Sequence, residues 1–209
     1  MNKALLFLNG EVPTILPDTS NYKMIFCTDG AFRYLKKLNI QADVISGDFD
    51  SLDINEFSSE IEIISTPDQN DTDFAKALQI IKEKGFVDVD VFGASGRQQD
   101  HFIGNLNAAY RFKDVLEITF YDNYSKYFFA KNITELTGYF GRTISLIPFP
   151  ECKNITTKGL EYPLNNENLN LLSRVGTRNK ANDDNLKIEF SEGTLVVFIM
   201  DENFPILLA

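Results

Sequence analysis

The chain has 209 residues, 44% of them hydrophobic, and a formal net charge of -10. That length suits one large domain or two modest ones, each able to bury a real core. The acidity excludes a broad basic surface for a nucleic-acid backbone, which needs many Lys and Arg to displace counterions, and offers no attraction to an anionic membrane. A small anionic substrate is still compatible with it, given a bound cation or a few local basic residues that reverse the field. Cys27 and Cys152 stand apart without metal-type pairing and read as free thiols of a reducing cytoplasm. No apolar run approaches the roughly 18 residues of a membrane span. The apolar run ending at Leu8 meets Asn9-Gly10-Glu11 where a signal peptide would continue, so it reads as a first strand.

Taken in order, residues 4–8 and 24–27 read as buried strands, the second ending at Thr28-Asp29-Gly30-Ala31. Phe32, Leu35 and Leu38 supply the stripe of a helix. Residues 44–46 and 61–65 are strands three and four. Phe74, Ala77, Leu78 and Ile81 then repeat at the spacing of one helical face, with Asn70 or Asp71 as the expected cap and Gly85 as the stop. A fifth strand over 87–92 leads through Gly93-Ala94-Ser95-Gly96 into a helix capped near Asp100, with Phe102, Leu106, Ala109 and Tyr110 as its buried stripe. Residues 116–121 make a sixth strand. Strands alternating with helices imply parallel pairing through right-handed crossovers, hence a doubly wound α/β sheet with its site at the carboxyl ends of the strands.

After Tyr121 the rhythm changes to short strand-like runs at 127–130, 143–148, 155–157, 186–190 and 194–200, separated by turn signals such as Gly138, Gly141, Pro150 and Gly159. This is the pattern of an antiparallel β-sandwich or barrel. The expected organisation is therefore an α/β domain over 1–121 followed by an all-β domain over 122–209. The polar stretches 165–170 and 179–185 read as surface loops.

The chemistry gathers at the expected strand ends. Asp48 and Asp50, one residue apart after the strand at 44–46, join Asp29, Asp71, Asp73 and Asp100 on neighbouring loops. Crowded carboxylates raise one another's pKa and call for compensation. A hard divalent cation is the simplest answer. Carboxylate and water ligands without His or Cys pairs favour Mg²⁺ or Mn²⁺, and Mg²⁺ binds through one or two carboxylates plus substrate phosphates. A nucleotide or other phosphate ester follows as substrate. Each Asp taken singly is more readily a backbone cap than a ligand; the convergence of three loops on one edge is what favours a site. Arg97 is the one fixed cation expected in this cluster, and its guanidinium matches phosphate geometry. His101, the only histidine, lies at a helix start that discourages protonation.

These residues resemble the thiamine pyrophosphokinases. The resemblance is carried by Thr28-Asp29-Gly30-Ala31, the run from Asp43 to Ser51, the run from Gln69 to Leu78 and Gly93-Ala94-Ser95-Gly96-Arg97-Gln98-Gln99-Asp100-His101. In the second half it continues through Ser145-Leu146-Ile147-Pro148, the run from Thr157 to Leu164 and Gly176-Thr177-Arg178-Asn179. It implies a cytoplasmic homodimeric enzyme with an α/β nucleotide-binding catalytic domain and a β-sandwich thiamine-binding domain. With Mg²⁺, such an enzyme transfers the β,γ-diphosphoryl group of ATP to the hydroxyl of thiamine, leaving AMP. By position, Asp48, Asp50 and Asp73 are the implied metal ligands, with Asp100 beside the same phosphates. Asp29, Gly30, Gln69, Thr72, Arg97, Gln98, His101 and Asn105 are implied along the nucleotide, and Thr177 and Asn179 near thiamine. Either Asp73 or Asp100 would accept the alcohol proton.

Three positions depart from the family pattern. The arginine of the usual G-G-R-x-D-H loop is displaced to Arg97 with Gln98 in its place, Asn70 stands where Asp is frequent, and Arg178 replaces the small residue of T-S-N. They keep two rivals in view: a diphosphokinase for another alcohol such as a hydroxymethyl pterin, and a nucleotide-binding sensor without turnover.

Overall fold

A computed structural model of the chain describes residues 2–50 and 58–200. The backbone separates into two compact units, residues 1–123 and 124–209.

The first unit contains strands β1 (Lys3–Phe7), β2 (Met24–Thr28), β3 (Val44–Gly47), β4 (Glu62–Ser65), β5 (Asp88–Phe92) and β6 (Glu117–Tyr121). Its helices are α1 (Asp29–Lys37), α2 (Asp73–Glu83) and α3 (Gln99–Phe112). The strands run parallel in the order β4-β3-β2-β1-β5-β6. The chain works outward from β1 to β4, then returns to place β5 on the other side of β1. That reversal is a topological switch point, where the loops leaving two adjacent strands diverge and open a crevice.

Register sorts the side chains into two layers. Leu6 lies level with Phe26 and Val91, and Val91 with Phe120; one residue along, Phe7 lies level with Cys27 and Phe92, and Phe92 with Tyr121. Successive strand residues face opposite sides of a sheet. Phe120 meets Phe74 of α2 edge to face at 5.8 Å, whereas Phe7 meets Tyr34 of α1 at 6.3 Å. The sheet is therefore covered on both faces, as buried parallel strands require. Leu5, Phe7, Cys27 and Ile45 pack with Phe32 and Leu35 as the core under α1.

Two sequence expectations about the helices change. The cap of α2 is Thr72, whose Oγ1 accepts from the Ala75 N–H at 3.2 Å, rather than Asn70 or Asp71. The reason is charge pairing: Asp71 is drawn away by a cation on α3, described below. On α3, Tyr110 is exposed and Phe112 takes the expected buried place. Asp100 lies inside the first turn of α3, after Gln98 at the N-cap.

The second unit is antiparallel. It comprises β7 (Ser125–Phe129), β8 (Ile133–Thr137), β9 (Thr143–Lys158), β10 (Glu167–Asn170), β11 (Gly176–Lys180), β12 (Asn185–Glu189) and β13 (Glu192–Met200). The 16-residue β9 is its spine and pairs with β10, β11, β12 and β13, while β13 also pairs with β7 and β12 with β8. The two runs expected at 143–148 and 155–157 are parts of this one strand, which continues through Pro150. The stretch expected as a loop at 165–170 includes β10, and the first residues of the loop expected at 179–185 belong to β11. Polar composition hid these elements. Asn168 turns its Oδ1 to the Asn154 N–H at 2.9 Å, and only Leu169 of β10 is buried. Ile144, Leu146, Ile155, Ile188 and Val197 lead the core of this unit.

One buried charge sits in the sheet of the first unit. Asp90 in the middle of β5 is 3% exposed, accepts from the Tyr22 hydroxyl at 2.7 Å and pairs with Lys3 Nζ at 2.9 Å. Truncation would strand the phenol and weaken the hold on Lys3. Asp90→Ala is therefore expected to lower unfolding stability by about 2 kcal/mol in urea titration, the cost of leaving a buried hydrogen-bonding partner unsatisfied, and Tyr22→Phe by about 1 kcal/mol.

Candidate active site

The crevice at the switch point is built by backbone before any side chain takes part. Beyond the ends of β1 and β5 the two chains continue to pair: Leu8 N donates to Phe92 O at 2.8 Å, Gly10 N to Gly93 O at 2.7 Å and Glu11 N to Ser95 O at 2.8 Å. This close approach needs glycine. A Cβ on Gly10 would fall 2.2 Å from Gly93 O, and Gly93 itself adopts φ +72. Asn105 of α3 ties the same loop down, its Nδ2 donating to Ala94 O at 2.8 Å. Asn123 holds the other loop, accepting from Thr14 N at 2.7 Å and donating to Val12 O at 3.1 Å.

A cavity of about 450 Å³ opens here, between the loops leaving β1, β2 and β5 and the first turns of α2 and α3. The sequence-derived residues converge on it. Asp29, Gly30, Gln69, Thr72 and Asp73 line it, as do Arg97, Gln98, Asp100, His101 and Asn105. The displaced Arg97 and its neighbour Gln98 thus both reach the cavity. Arg97 Nη1 donates to Asn9 Oδ1 at 3.1 Å and to Asn9 O at 3.3 Å, which fixes the guanidinium at the rim.

Asp48 and Asp50 do not line the cavity, but Asp29 connects them to it. Asp29 packs against Gly47, where a Cβ would fall 2.3 Å from its carboxyl carbon, and it accepts from Gly30 N at 2.5 Å and from Phe49 N at 3.2 Å. Phe49 is buried at a left-handed φ of +61, while Asp48 and Asp50 on either side are exposed. A bulky residue held in that conformation marks strain over-determined by its surroundings. Here the buried ring anchors the turn that presents both carboxylates to solvent. Partial burial pushes the Asp29 carboxyl above the ordinary carboxylate range; the charges of Asp73 and Asp48 add to this and the two N–H donors oppose it. Ser51, the last residue of this motif, lies outside the described residues. Among the described residues no three or more His, Cys, Asp or Glu gather as a ready-made metal cage.

Arg97 is not the only cation of the cluster. Arg111, near the end of α3, grips Asp71 with both arms, Nη1 to Oδ1 at 2.5 Å and Nη2 to Oδ2 at 2.9 Å. This hydrogen-bonded guanidinium holds the Asp71 carboxyl below its usual range. Lys76 Nζ lies 3.0 Å from Asp73 Oδ1 and donates to Thr66 O and Asp68 O at 2.9 Å each. The sequence carried a signal for Arg111: it stands seven residues beyond Gly104 and eleven beyond Asp100, on one face of α3. Its partner on α2 could not be read from spacing.

Thr177 and Asn179 belong to β11 of the second unit. Asn179 bridges to Tyr162, accepting from Tyr162 N at 3.1 Å and donating to Tyr162 O at 2.6 Å, while its Oδ1 also accepts from Lys180 N at 2.8 Å. Arg178 between them has a left-handed φ of +55, at a register shift against β9, and its N–H donates to Ser145 Oγ at 2.9 Å.

Comparison with known proteins places the chain in a family. Residues 18–120 match the family model "Thiamin pyrophosphokinase, catalytic domain", and residues 131–195 match "Thiamin pyrophosphokinase, vitamin B1 binding domain". Thiamine pyrophosphokinase 1 of Arabidopsis thaliana is 27% identical over 89% of this chain and 82% of its own length. Thiamine pyrophosphokinase of Bacillus subtilis is 29% identical over 72% of this chain and 75% of its own. The match to thiamine pyrophosphokinase 1 of Oryza sativa spans 64% of the rice protein at 28% identity. In fold, the crystal structure of the Bacillus subtilis enzyme superimposes with a TM-score of 0.81 at 22% identity, covering 95% of this chain and 99% of that one. The Candida albicans thiamin pyrophosphokinase gives a TM-score of 0.82 at 19% identity, over 96% and 89%. With both family models matched in order and relatives from plants and bacteria aligned along most of its length, the chain belongs to the thiamine pyrophosphokinase family.

Proposed function

We propose that the chain transfers the β,γ-diphosphoryl group of ATP to the hydroxyl of thiamine, releasing AMP. One observation carries the proposal. Asp29, Asp73 and Asp100, borne on three separate strand–helix junctions, line one cavity at the switch point together with Arg97. Phosphoryl transfer asks mainly for positioning and charge neutralisation, and this arrangement is suited to both.

The donor set fits a hard divalent cation. Asp48, Asp50 and Asp73 offer carboxylate oxygens without thiolate or imidazole, and Asp29, raised first by burial, also feels the charges of Asp73 and Asp48. A Mg²⁺ held by one or two of these carboxylates and by substrate phosphates needs no closed protein cage. Bound there, it would neutralise charge on the transferred group. The protein supplies the rest. The Gly30 and Thr72 turns and Arg97 orient the polyphosphate. Asp73 is already occupied by Lys76 through Oδ1, whereas among the described residues Asp100 receives only the His101 N–H at 3.0 Å. Asp100 is therefore our choice for accepting the proton of the thiamine hydroxyl. Gln69, Gln98, His101 and Asn105 would lie along the nucleotide.

The second unit would receive thiamine, with Thr177 at the substrate. Asn179 keeps Tyr162 in place, and the Tyr162 ring is two-thirds exposed beside it, available to the cationic thiazolium. The first unit, in this reading, is the nucleotide-binding catalytic domain and the second a β-sandwich domain for thiamine. A homodimer in the cytoplasm completes the proposal; no helix among the described residues is long and apolar enough to cross a membrane.

Incubation with ATP, Mg²⁺ and thiamine should yield AMP and thiamine diphosphate in equal amounts, read by chromatography. ATP bound without AMP release, or turnover only with a pterin alcohol, would overturn the assignment. Asp48→Asn and Asp50→Asn should each lower kcat by about 100-fold or more, the scale of losing one preorganised electrostatic group. Full activity in both would remove them from the site. Arg111→Gln, which frees Asp71 and with it the approach to Thr72 and Asp73, should raise KM for ATP by about 10-fold while the urea midpoint barely moves, since exposed pairs add little to stability. Arg111→Lys should recover part of that loss, because it restores charge without the two-armed grip.

A further inference from the structure

Gly104 has no structural reason to be glycine. Seven of the twelve glycines adopt positive φ, where side chains are strained. Four others, Gly10, Gly30, Gly47 and Gly176, would bring a Cβ within 3.1 Å of a neighbour. Gly104 does neither: it lies inside α3 without a positive φ, and a Cβ there would meet nothing within 4 Å. Glycine inside a helix is disfavoured against alanine, because it gives up more backbone freedom on folding. The fold would thus be better served by alanine.

What does adjoin Gly104 is the cavity, whose wall it forms together with Asp100 and His101 one turn before it. We infer that Gly104 is a specificity-determining residue: the notch it leaves in α3 admits the sugar and base of the nucleotide directly against helix backbone. This rests on the ATP reading above. The chemical class follows from what the notch offers. Mid-helix N–H groups are engaged in their own helix and no cation projects from Gly104, so the surface gives a phosphate no donors. A neutral, flat group gains close van der Waals contact there. The methyl of alanine would fill that space from the protein side and hold the ligand off.

The test compares wild type and Gly104→Ala in thermal unfolding without ligand, and in calorimetric titration with AMP, with ATP and with inorganic tripolyphosphate. The variant should unfold at about 2–4 °C higher temperature, as a helix gains a better former in a chain of this size. Its AMP affinity should fall by about 10-fold or more, the range set by one methylene in a fitted pocket. Tripolyphosphate binding should stay within about twofold, because phosphate recognition lies elsewhere in the cavity. Three results would overturn the inference: unchanged AMP affinity, an equal loss for tripolyphosphate, or a lowered unfolding temperature, which would mean the methyl strikes protein. Wild-type protein that binds neither AMP nor ATP overturns the functional reading and the inference with it, whereas wild type that binds both while the variant also binds both equally well sinks the inference alone.

Discussion

The site depends on the parallel pairing of β1 with β5. Because the chain places these two strands side by side only after winding outward to β4, their following loops leave in diverging directions, and the gap between them is the crevice. The pairing does not stop at the strand ends. Backbone hydrogen bonds continue from Leu8 to Glu11 against residues 92–95, at a spacing that tolerates no Cβ on Gly10. Two glycine-bearing loops, weak signals when taken one at a time, are thus halves of a single rigid floor. Every side chain of the site is positioned relative to that floor.

Charge balance is the second constraint. An acidic chain has brought four carboxylates to one cavity, and it does so by neutralising two of them internally. Arg111 holds Asp71, and Lys76 holds Asp73 while also fastening the backbone at Thr66 and Asp68. The Arg111–Asp71 pair is exposed and adds little to folding, whereas Lys76 is largely buried; both bear on the first turn of α2. Among the described residues Asp29 has no cationic partner; it is partly buried and under the influence of Asp73 and Asp48. In the proposed reading, that negative charge is what a bound cation and its phosphates would meet. It follows the general tendency of functional sites to carry local destabilisation that the scaffold absorbs elsewhere.

In the second unit, the long β9 explains why so much was hidden in sequence. A sixteen-residue strand that pairs with four partners combines stretches of different local character, so its alternation breaks at Pro148, Pro150 and Asn154 and reads as separate short runs. Among the described residues β10 and β11 each form a ladder with β9 alone, and both carry polar, largely exposed residues. Leu169 alone in β10 betrays the strand. Composition reports burial, and these strands are scarcely buried.

The sequence by itself determined the alternation of strands and helices in the first unit, since each strand is a short apolar run and each helix shows a stripe, with apolar transfer as the driving force. It also determined which residue types reach the strand ends, because glycine and aspartate there are dictated by local backbone geometry and capping. Only the tertiary structure decided which of those residues meet. The strand order that sets β5 beside β1, the grip of Arg111 on Asp71 across two helices, the burial of Phe49 that turns Asp48 and Asp50 outward, and the empty space beside Gly104 are relations between segments far apart in the chain. They are fixed by packing and charge pairing, which no local pattern of residues encodes.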